Sequence, residues 1–299
     1  MRAALQAHGL TLTDRAGGRL QLPAAHLDLQ PQVPAGCAPP LVLLCVKSGA
    51  TAEAAAELAA TLPAGTPVLS LQNGLANAAT AQAAAPGLVL LPGMVPYNVA
   101  ELGPGRLHRG TDGELAAQDH PALRAWLPLF QAAGLPLTLH ADLLPVQWGK
   151  LLLNLNNAVN ALSGLPLRAQ LLDSDLRRCT AALIDETLGL LQRAGITPRS
   201  PAGPPPGLIV RVMRLPTPMF RLAAARLLRI DANARSSMAD DLTLGRPTEV
   251  GAINGEVLRL AQRLGTTAPR NARIAELVQG WPQRPQAWTG AALRQALGV

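Results

Sequence analysis

Residues 40–47, PLVLLCVK, form a continuous apolar run that carries no polar residue until its final lysine. A half-buried strand alternates and an amphipathic helix repeats every 3.6 residues, so an unbroken run of this length marks a strand buried on both faces. Its surroundings repeat the signal. The pattern predicts an Ala/Glu helix over 51–62, a strand over 67–72 (PVLSLQ), a helix over 75–84 and a strand over 88–95 (LVLLPGMV). Strand, helix, strand, helix, strand at these lengths is a doubly wound α/β sheet. Ligands of such sheets sit beyond the carboxyl ends of the strands, here VKSG (46–49), LQNG (71–74) and GMVPYN (93–98). Taken alone, LQNG also reads as an ordinary Asn-Gly turn.

The remaining segments are less regular. Residues 10–22 turn about Gly17 and Gly18 and suit a small hairpin or an extended loop. Residues 103–110 read as a hairpin strand, 120–133 as a helix and 135–140 as the last strand of this half. From 141 onward strand signals largely stop. A long amphipathic helix is expected over 174–194, a Pro/Gly loop that cannot be helical over 198–207, and a basic helical segment over 219–229. Ser236 or Ser237 can cap a further helix, with Asp240 following in its first turn. The last helix is expected over 271–278, ahead of a fraying tail. The chain thus divides into an α/β part, 1–141, and an all-helical part, 142–299, with a cleft between them as the default site.

Composition limits the function. The net charge of +7 comes with only 15% charged residues, and the arginines are scattered. With one Tyr and two Phe, the chain has few platforms for stacking bases, so an anionic small molecule is the more economical partner than a nucleic acid. No apolar run approaches the length that spans a bilayer, and no hydrophobic signal core opens the sequence. Cys37, Cys45 and Cys179 are odd in number and lack metal-ligand spacing, so they read as buried thiols in a reducing, cytoplasmic setting, with no metal site.

The stretch richest in chemistry is 147–165, QWGKLLLNLNNAVNALSGL. It has the leucine density of a buried helix, yet carries Lys150, Asn154, Asn156, Asn157 and Asn160. At 100° per residue, Lys150, Asn154 and Asn157 project within about 60° of one another. A buried amide without partners costs on the order of 1–3 kcal/mol, so these amides either pair with backbone or face a ligand. Lys47 and Lys150 are the only lysines; of 26 Lys and Arg, the other 24 are arginines. Unlike Arg, a partly desolvated Lys can release a proton near neutral pH, although a lysine snorkelling to water is the plainer reading.

Further on, Ser237 can be a helix cap, and Glu249 can be a carboxylate favoured at a helix start. What lifts both is the order of the segments: VK, LQNG, W-G-K-L-x-x-N, SSM-x-x-D, GR-x-TE and ING. In that order and spacing the chain resembles the ketopantoate reductase (2-dehydropantoate 2-reductase) family from about residue 8 to residue 280. The resemblance implies a Rossmann-like domain for NADPH followed by a helical domain of the 6-phosphogluconate dehydrogenase C-terminal type. It also implies reduction of ketopantoate to D-pantoate on the way to pantothenate and coenzyme A. Lys150 matches the catalytic general acid. Asn154 matches a substrate-holding amide, and the second such amide is Asn157 by helical face or Asn160 by its NAL context. Ser237 matches the contact to the substrate carboxylate, and Glu249 the acceptor for its hydroxyl. Lys47 and Asn73 match cofactor-lining positions. The resemblance leaves a homodimer open.

Two departures qualify it. Where many relatives read TEID, this chain has Thr248-Glu249-Val250-Gly251. Family members also open with a strand, Gly-rich turn, helix and second strand, whose GxGxxG presents helix amides to the pyrophosphate. No such motif occurs here, and Met1 aligns after that unit, as though about 35 residues preceded it. The expectation is therefore an N-terminally incomplete dinucleotide-binding domain and a start codon upstream of Met1. Two alternatives stand beside it: a reductase of another branched 2-oxo acid, or a non-catalytic remnant unable to bind NADPH.

Overall fold

The computed structural model describes residues 1–201, 203–231 and 234–299. They form two compact units: Met1–Val46 with Ala50–Gln72 and Asn77–Leu143, and Lys47–Gly49 with Asn73–Ala76 and Leu144–Val299.

The first unit carries two sheets. β3 (Val42–Leu44), β4 (Pro67–Ser70) and β5 (Val89–Met94) are parallel neighbours, linked by α2 (Thr51–Thr61) and α3 (Asn77–Ala84). The sheet continues through β8 (Leu115–Gln118), antiparallel to β5, to β9 (Leu137–His140), parallel to β8. Its alternating side chains enter two different cores. Val68 packs with Leu44, Leu58 and Ala81 on the α2/α3 side, whereas Leu69 packs with Leu91, Leu123 and Phe130 on the side of α4 (Pro121–Arg124) and α5 (Leu127–Ala132). Burial on both faces is the reason that β4 and β5 read as apolar runs. β3 is an edge strand and leaves Leu43 47% exposed.

The smaller sheet has the order β2-β1-β7-β6. α1 (Arg2–His8) precedes β1 (Leu10–Asp14), which pairs antiparallel with β2 (Arg19–Leu22) through a turn whose Asp14 carboxylate accepts the Ala16 and Gly18 amides at 2.9 and 2.7 Å. β6 (Val99–Gly103) and β7 (Arg106–Arg109) form a second hairpin, and β7 lies parallel to β1. The segment 10–22 is therefore a hairpin rather than a loop. β8, LAAQ, has no β-branched residue and gave no strand signal; pairing on both sides makes it a strand.

The second unit is helical. α6 (Leu144–Asn154) and α7 (Asn156–Ser163) are separated at Leu155, so the expected single helix over 147–165 is two. α8 (Leu167–Leu172) leads to the 20-residue α9 (Ser174–Arg193), capped by the Asp173 carboxylate on the Asp175 and Leu176 amides. α10 (Pro206–Met213) begins inside the expected Pro/Gly loop, because proline at a first helical turn loses no hydrogen bond. α11 (Thr217–Ala223) stops well short of 229. α12 (Ser237–Thr243), α13 (Val250–Arg263) and α14 (Pro269–Gln279) follow. The expected fraying tail instead forms α15 (Gly290–Ala296), capped by Thr289 and anchored by buried Leu293.

The guanidinium of fully buried Arg177 on α9 donates to the carbonyls of Leu171, Met213 and Leu215 at 2.9–3.1 Å and to Thr217 Oγ1 at 3.2 Å. It lies 4.3 Å from the Phe220 ring centroid. Of the expected buried thiols, only Cys179 is buried; Cys37 is half-buried and Cys45, beyond the edge strand, is exposed.

Candidate active site

The residues of the candidate site belong to the helical unit, which includes the short segments after β3 and β4. α6 supplies its lysine. Trp148, Leu151 and Leu152 bury one face of this helix, while Lys150 and Asn154, one turn apart, share a neighbouring face. Gly149 is required here: a Cβ would lie 1.8 Å from the Arg199 carbonyl oxygen, so the 198–200 segment crosses the helix one residue before the lysine. The Arg199 amide is tied to the Pro145 carbonyl at 2.8 Å. Burial pushes the Lys150 ammonium down from its ordinary 10.5 to about 8, because desolvation disfavours the charged form. An ammonium poised there is charged at neutral pH and can still give up its proton.

From Asn154 a hydrogen-bonded chain runs to α13. Its Nδ2 lies 3.5 Å from Asn73 Oδ1, and Asn73 Nδ2 donates to Glu249 Oε2 at 2.9 Å. The other carboxylate oxygen, Oε1, accepts from the Ser48 backbone N–H at 3.2 Å and Oγ at 3.0 Å. Ser48 Oγ also approaches the Asn73 carbonyl oxygen, at 3.2 Å. Glu249 is the N-cap residue of α13, half-buried, and among the described residues it forms no ion pair. Gly74, at φ +89°, lets this loop lie on the first turn of α13, where a Cβ would be 2.7 Å from the Ala252 carbonyl oxygen. The Asn-Gly turn and the close backbone approach are thus both present, and the approach is to a helix.

Lys47, 54% exposed, pairs through Nζ with Oδ1 of Asp241 at 2.5 Å, and Asp241 is only 8% exposed. Asp241 is the aspartate of SSM-x-x-D; sequence reasoning gave it no role, and neither did it give one to Ser48.

The asparagines separate. Asn160 is fully buried, donating from Nδ2 to the Leu165 carbonyl at 2.9 Å and accepting the Ser236 N–H on Oδ1 at 2.9 Å. Asn156 pairs its amide with Gln170 and accepts from Thr180 Oγ1. Asn157 is half-buried, and it is its backbone carbonyl that accepts a hydrogen bond, from Ser236 Oγ at 3.3 Å. Ser236, not Ser237, is the cap of α12, accepting the Ala239 N–H on Oγ at 3.2 Å. Ser237 is left exposed in the first turn. The ING asparagine, Asn254, is structural: it donates to Asn271 Oδ1 at 3.0 Å, and Asn271 in turn donates to the Leu183 carbonyl and Glu186.

Two family models match in succession. "Ketopantoate reductase PanE/ApbA" covers residues 2–122, and "Ketopantoate reductase PanE/ApbA C terminal" covers residues 142–281. The chain belongs to the ketopantoate reductase PanE/ApbA family. A 2-dehydropantoate 2-reductase of Halobacterium salinarum is 29% identical over 245 residues, covering 80% of this chain and 75% of that protein. A PanE/ApbA family ketopantoate reductase from Ralstonia eutropha superposes with a TM-score of 0.74 at 27% identity, over 93% of this chain and 86% of that one. D-mandelate dehydrogenase, in its complex with NADH and anilino(oxo)acetate, shares the fold at 18% identity, with a TM-score of 0.72 over 99% of this chain and 88% of that one. The chain therefore has the architecture of this ketopantoate reductase family of oxidoreductases: a Rossmann-like domain followed by a helical one. Among the described residues no cluster of His, Cys, Asp and Glu could hold a metal, and no helix is long and apolar enough to cross a membrane.

Proposed function

We propose that this chain reduces 2-dehydropantoate to D-pantoate with NADPH, with residues 1–141 serving the cofactor and 142–299 the substrate. The observation that carries the reading is the Asn154–Asn73–Glu249 chain beginning one turn from Lys150. It ties a carboxylate to an amide one turn from a lysine whose pKa burial has lowered to about 8. The donor set fits the cofactor in part. Lys47 keeps an exposed cation beside its pairing with Asp241, and Asn73 lies in the same unit, whereas no GxGxxG occurs in the sequence to present amides to a pyrophosphate. Lys47 and Asn73 are the residues assigned to hold it.

NADPH, when bound, supplies the hydride. The chain supplies the rest. The Lys150 ammonium donates a hydrogen bond to the C2 ketone oxygen and passes it a proton as negative charge develops there. Asn154 holds that oxygen in reach of the lysine, and Asn157 follows in the first turn of α7. Asn160 is committed to Leu165 and Ser236, which favours Asn157 as the second substrate amide. Ser237 donates its exposed hydroxyl to the substrate carboxylate. Glu249 accepts the substrate's C4 hydroxyl: a carboxylate offers about four acceptor sites, and three donors already occupy part of them.

The test is NADPH oxidation by the purified chain with and without 2-dehydropantoate, paired with direct NADPH binding. Substrate-dependent oxidation supports the reading, and its absence from a folded protein overturns it.

A further inference from the structure

Glu249 reads a substrate hydroxyl only if its carboxylate is held in one orientation, and among the described residues no arginine or lysine pairs with it. Its fixing points are neutral donors from two loops. Ser48 gives both its backbone N–H, at 3.2 Å, and its hydroxyl, at 3.0 Å, to the same oxygen, Oε1. Asn73 gives its amide to Oε2 at 2.9 Å. Two donors on one oxygen and one on the other define the carboxylate plane. Hydrogen bonds to an ionised acceptor are the strong ones, and geometry of this kind gives direction as well as energy.

The two loops are also tied to each other. The single proton of the Ser48 hydroxyl is shared between Glu249 Oε1 and the Asn73 carbonyl oxygen 3.2 Å away. Losing the hydroxyl would therefore loosen Asn73 and the carboxylate together, while the Ser48 N–H still holds Oε1. That leaves Glu249 in place with one donor on each carboxylate oxygen, less firmly aimed than with three. A group in that state still binds, but it discriminates poorly.

We infer that Ser48 is a positioning residue: through its hydroxyl it aims the Glu249 carboxylate, and so sets the preference of the site for 2-oxo acids that carry a C4 hydroxyl over those that do not. The inference rests on the proposed role of Glu249. It adds a residue that no motif pointed to, in the turn between β3 and α2.

The experiment compares two ligands that differ only in that hydroxyl: 2-dehydropantoate, and the analogue in which its hydroxymethyl group is a methyl, 3,3-dimethyl-2-oxobutanoate. Binding is measured calorimetrically with NADP+ present, which cannot deliver a hydride, for the unsubstituted chain, Ser48→Ala, Ser48→Thr and Glu249→Gln. The unsubstituted chain should prefer the hydroxylated acid. Ser48→Ala should shrink that preference roughly three- to ten-fold, the loss expected for one charge-assisted hydrogen bond, with binding of the methyl analogue nearly unchanged. Ser48→Thr keeps a hydroxyl and should restore most of the preference. Equal weakening of both acids by Ser48→Ala, or failure of Ser48→Thr to restore the preference, would make Ser48 merely structural and overturn the inference. A preference that survives Ser48→Ala but collapses in Glu249→Gln overturns it while leaving the role of Glu249 intact. No preference in the unsubstituted chain, or one untouched by Glu249→Gln, removes Glu249 from the hydroxyl and takes the inference with it.

Discussion

Asn160 Oδ1 accepts the backbone N–H of Ser236 across 76 residues of sequence, at 2.9 Å, and so fixes the start of α12 to the inside of α7. The carboxamide that its NAL context offered as a second substrate amide thereby acts as a strut. Ser236 is buried, and among the described residues Asn160 is the acceptor of its amide hydrogen. Asn160→Ala should therefore destabilise the protein by about 1–3 kcal/mol, read as a lower midpoint in urea with an unchanged slope. Asn157→Ala should stay within about 0.5 kcal/mol of the parent and instead raise the KM for the 2-oxo acid. The reverse pattern would exchange their roles.

On the proposed mechanism, Lys150 carries the pH dependence. Reduction needs its charged form, so kcat/KM should be level below and fall above about pH 8, and the descending limb should vanish in Lys150→Ala together with about 100-fold or more of the turnover. Stability should move the other way. The folded pKa lies below the unfolded one, so the buried ammonium costs stability at neutral pH, and that cost fades as pH rises from about 8 towards 10.5. Lys150→Met should be stabilising at pH 7 and should flatten that rise, as followed by thermal melts across the interval.

Gly149→Ala tests the crossing of 198–200 over α6. A methyl 1.8 Å from the Arg199 carbonyl oxygen forces backbone to move, and the expected loss is about 2 kcal/mol or more. Because the next residue is Lys150, kcat should fall as well. A variant with parental melting temperature and activity would show that the segment yields freely.

Arg177→Lys should cost about 3 kcal/mol although the charge is kept. One ammonium cannot reach the three carbonyls and the threonine hydroxyl that the planar guanidinium serves together. Chemical denaturation of the purified variant measures this directly.

Cys179, buried on α9, has its thiol pushed up to about 12, chiefly by burial, with Asp175 and Asp173 adding to it. It should be inert to thiol reagents in the native state and react only once denaturant opens the helix, unlike exposed Cys45. Mass-resolved labelling across a denaturant series would show it. Labelling of Cys179 at the native rate of Cys45 would contradict its burial.

The parallel core was legible from its apolar runs, 40–47, 67–72 and 88–95; β4 at its centre is covered on both faces, whereas the edge strand β3 leaves Leu43 and Cys45 exposed. β8 was not legible, since LAAQ becomes a strand only through β5 and β9, partners that no local pattern announces. α10 was hidden by prolines that sit at its first turn, and α15 by a preceding Pro- and Gln-rich stretch. At the site, Lys150, Asn154 and Glu249 stood out as polar groups in apolar or helix-start positions. Ser48 and Asp241 did not, because a serine in a turn and an aspartate in a helix are unremarked until the fold brings Glu249 and Lys47 to them. The choice between Asn157 and Asn160 needed the partners of both amides, which lie far off in the chain.

The buried guanidinium of Arg177 also has a consequence for the order of assembly. Its acceptors are spread from Leu171 to Thr217, so no isolated helix of the unit can satisfy it. α9 alone would hold a bare cation on its apolar face, and only the arrival of the 213–217 segment supplies three of the four acceptors. That makes docking of α10 and α11 onto α9 a single step rather than a gradual one, because every partial arrangement leaves a charge dehydrated and unmatched. A nascent chain that has emerged only as far as α9 still lacks three of those four acceptors, and so has this face to keep wet.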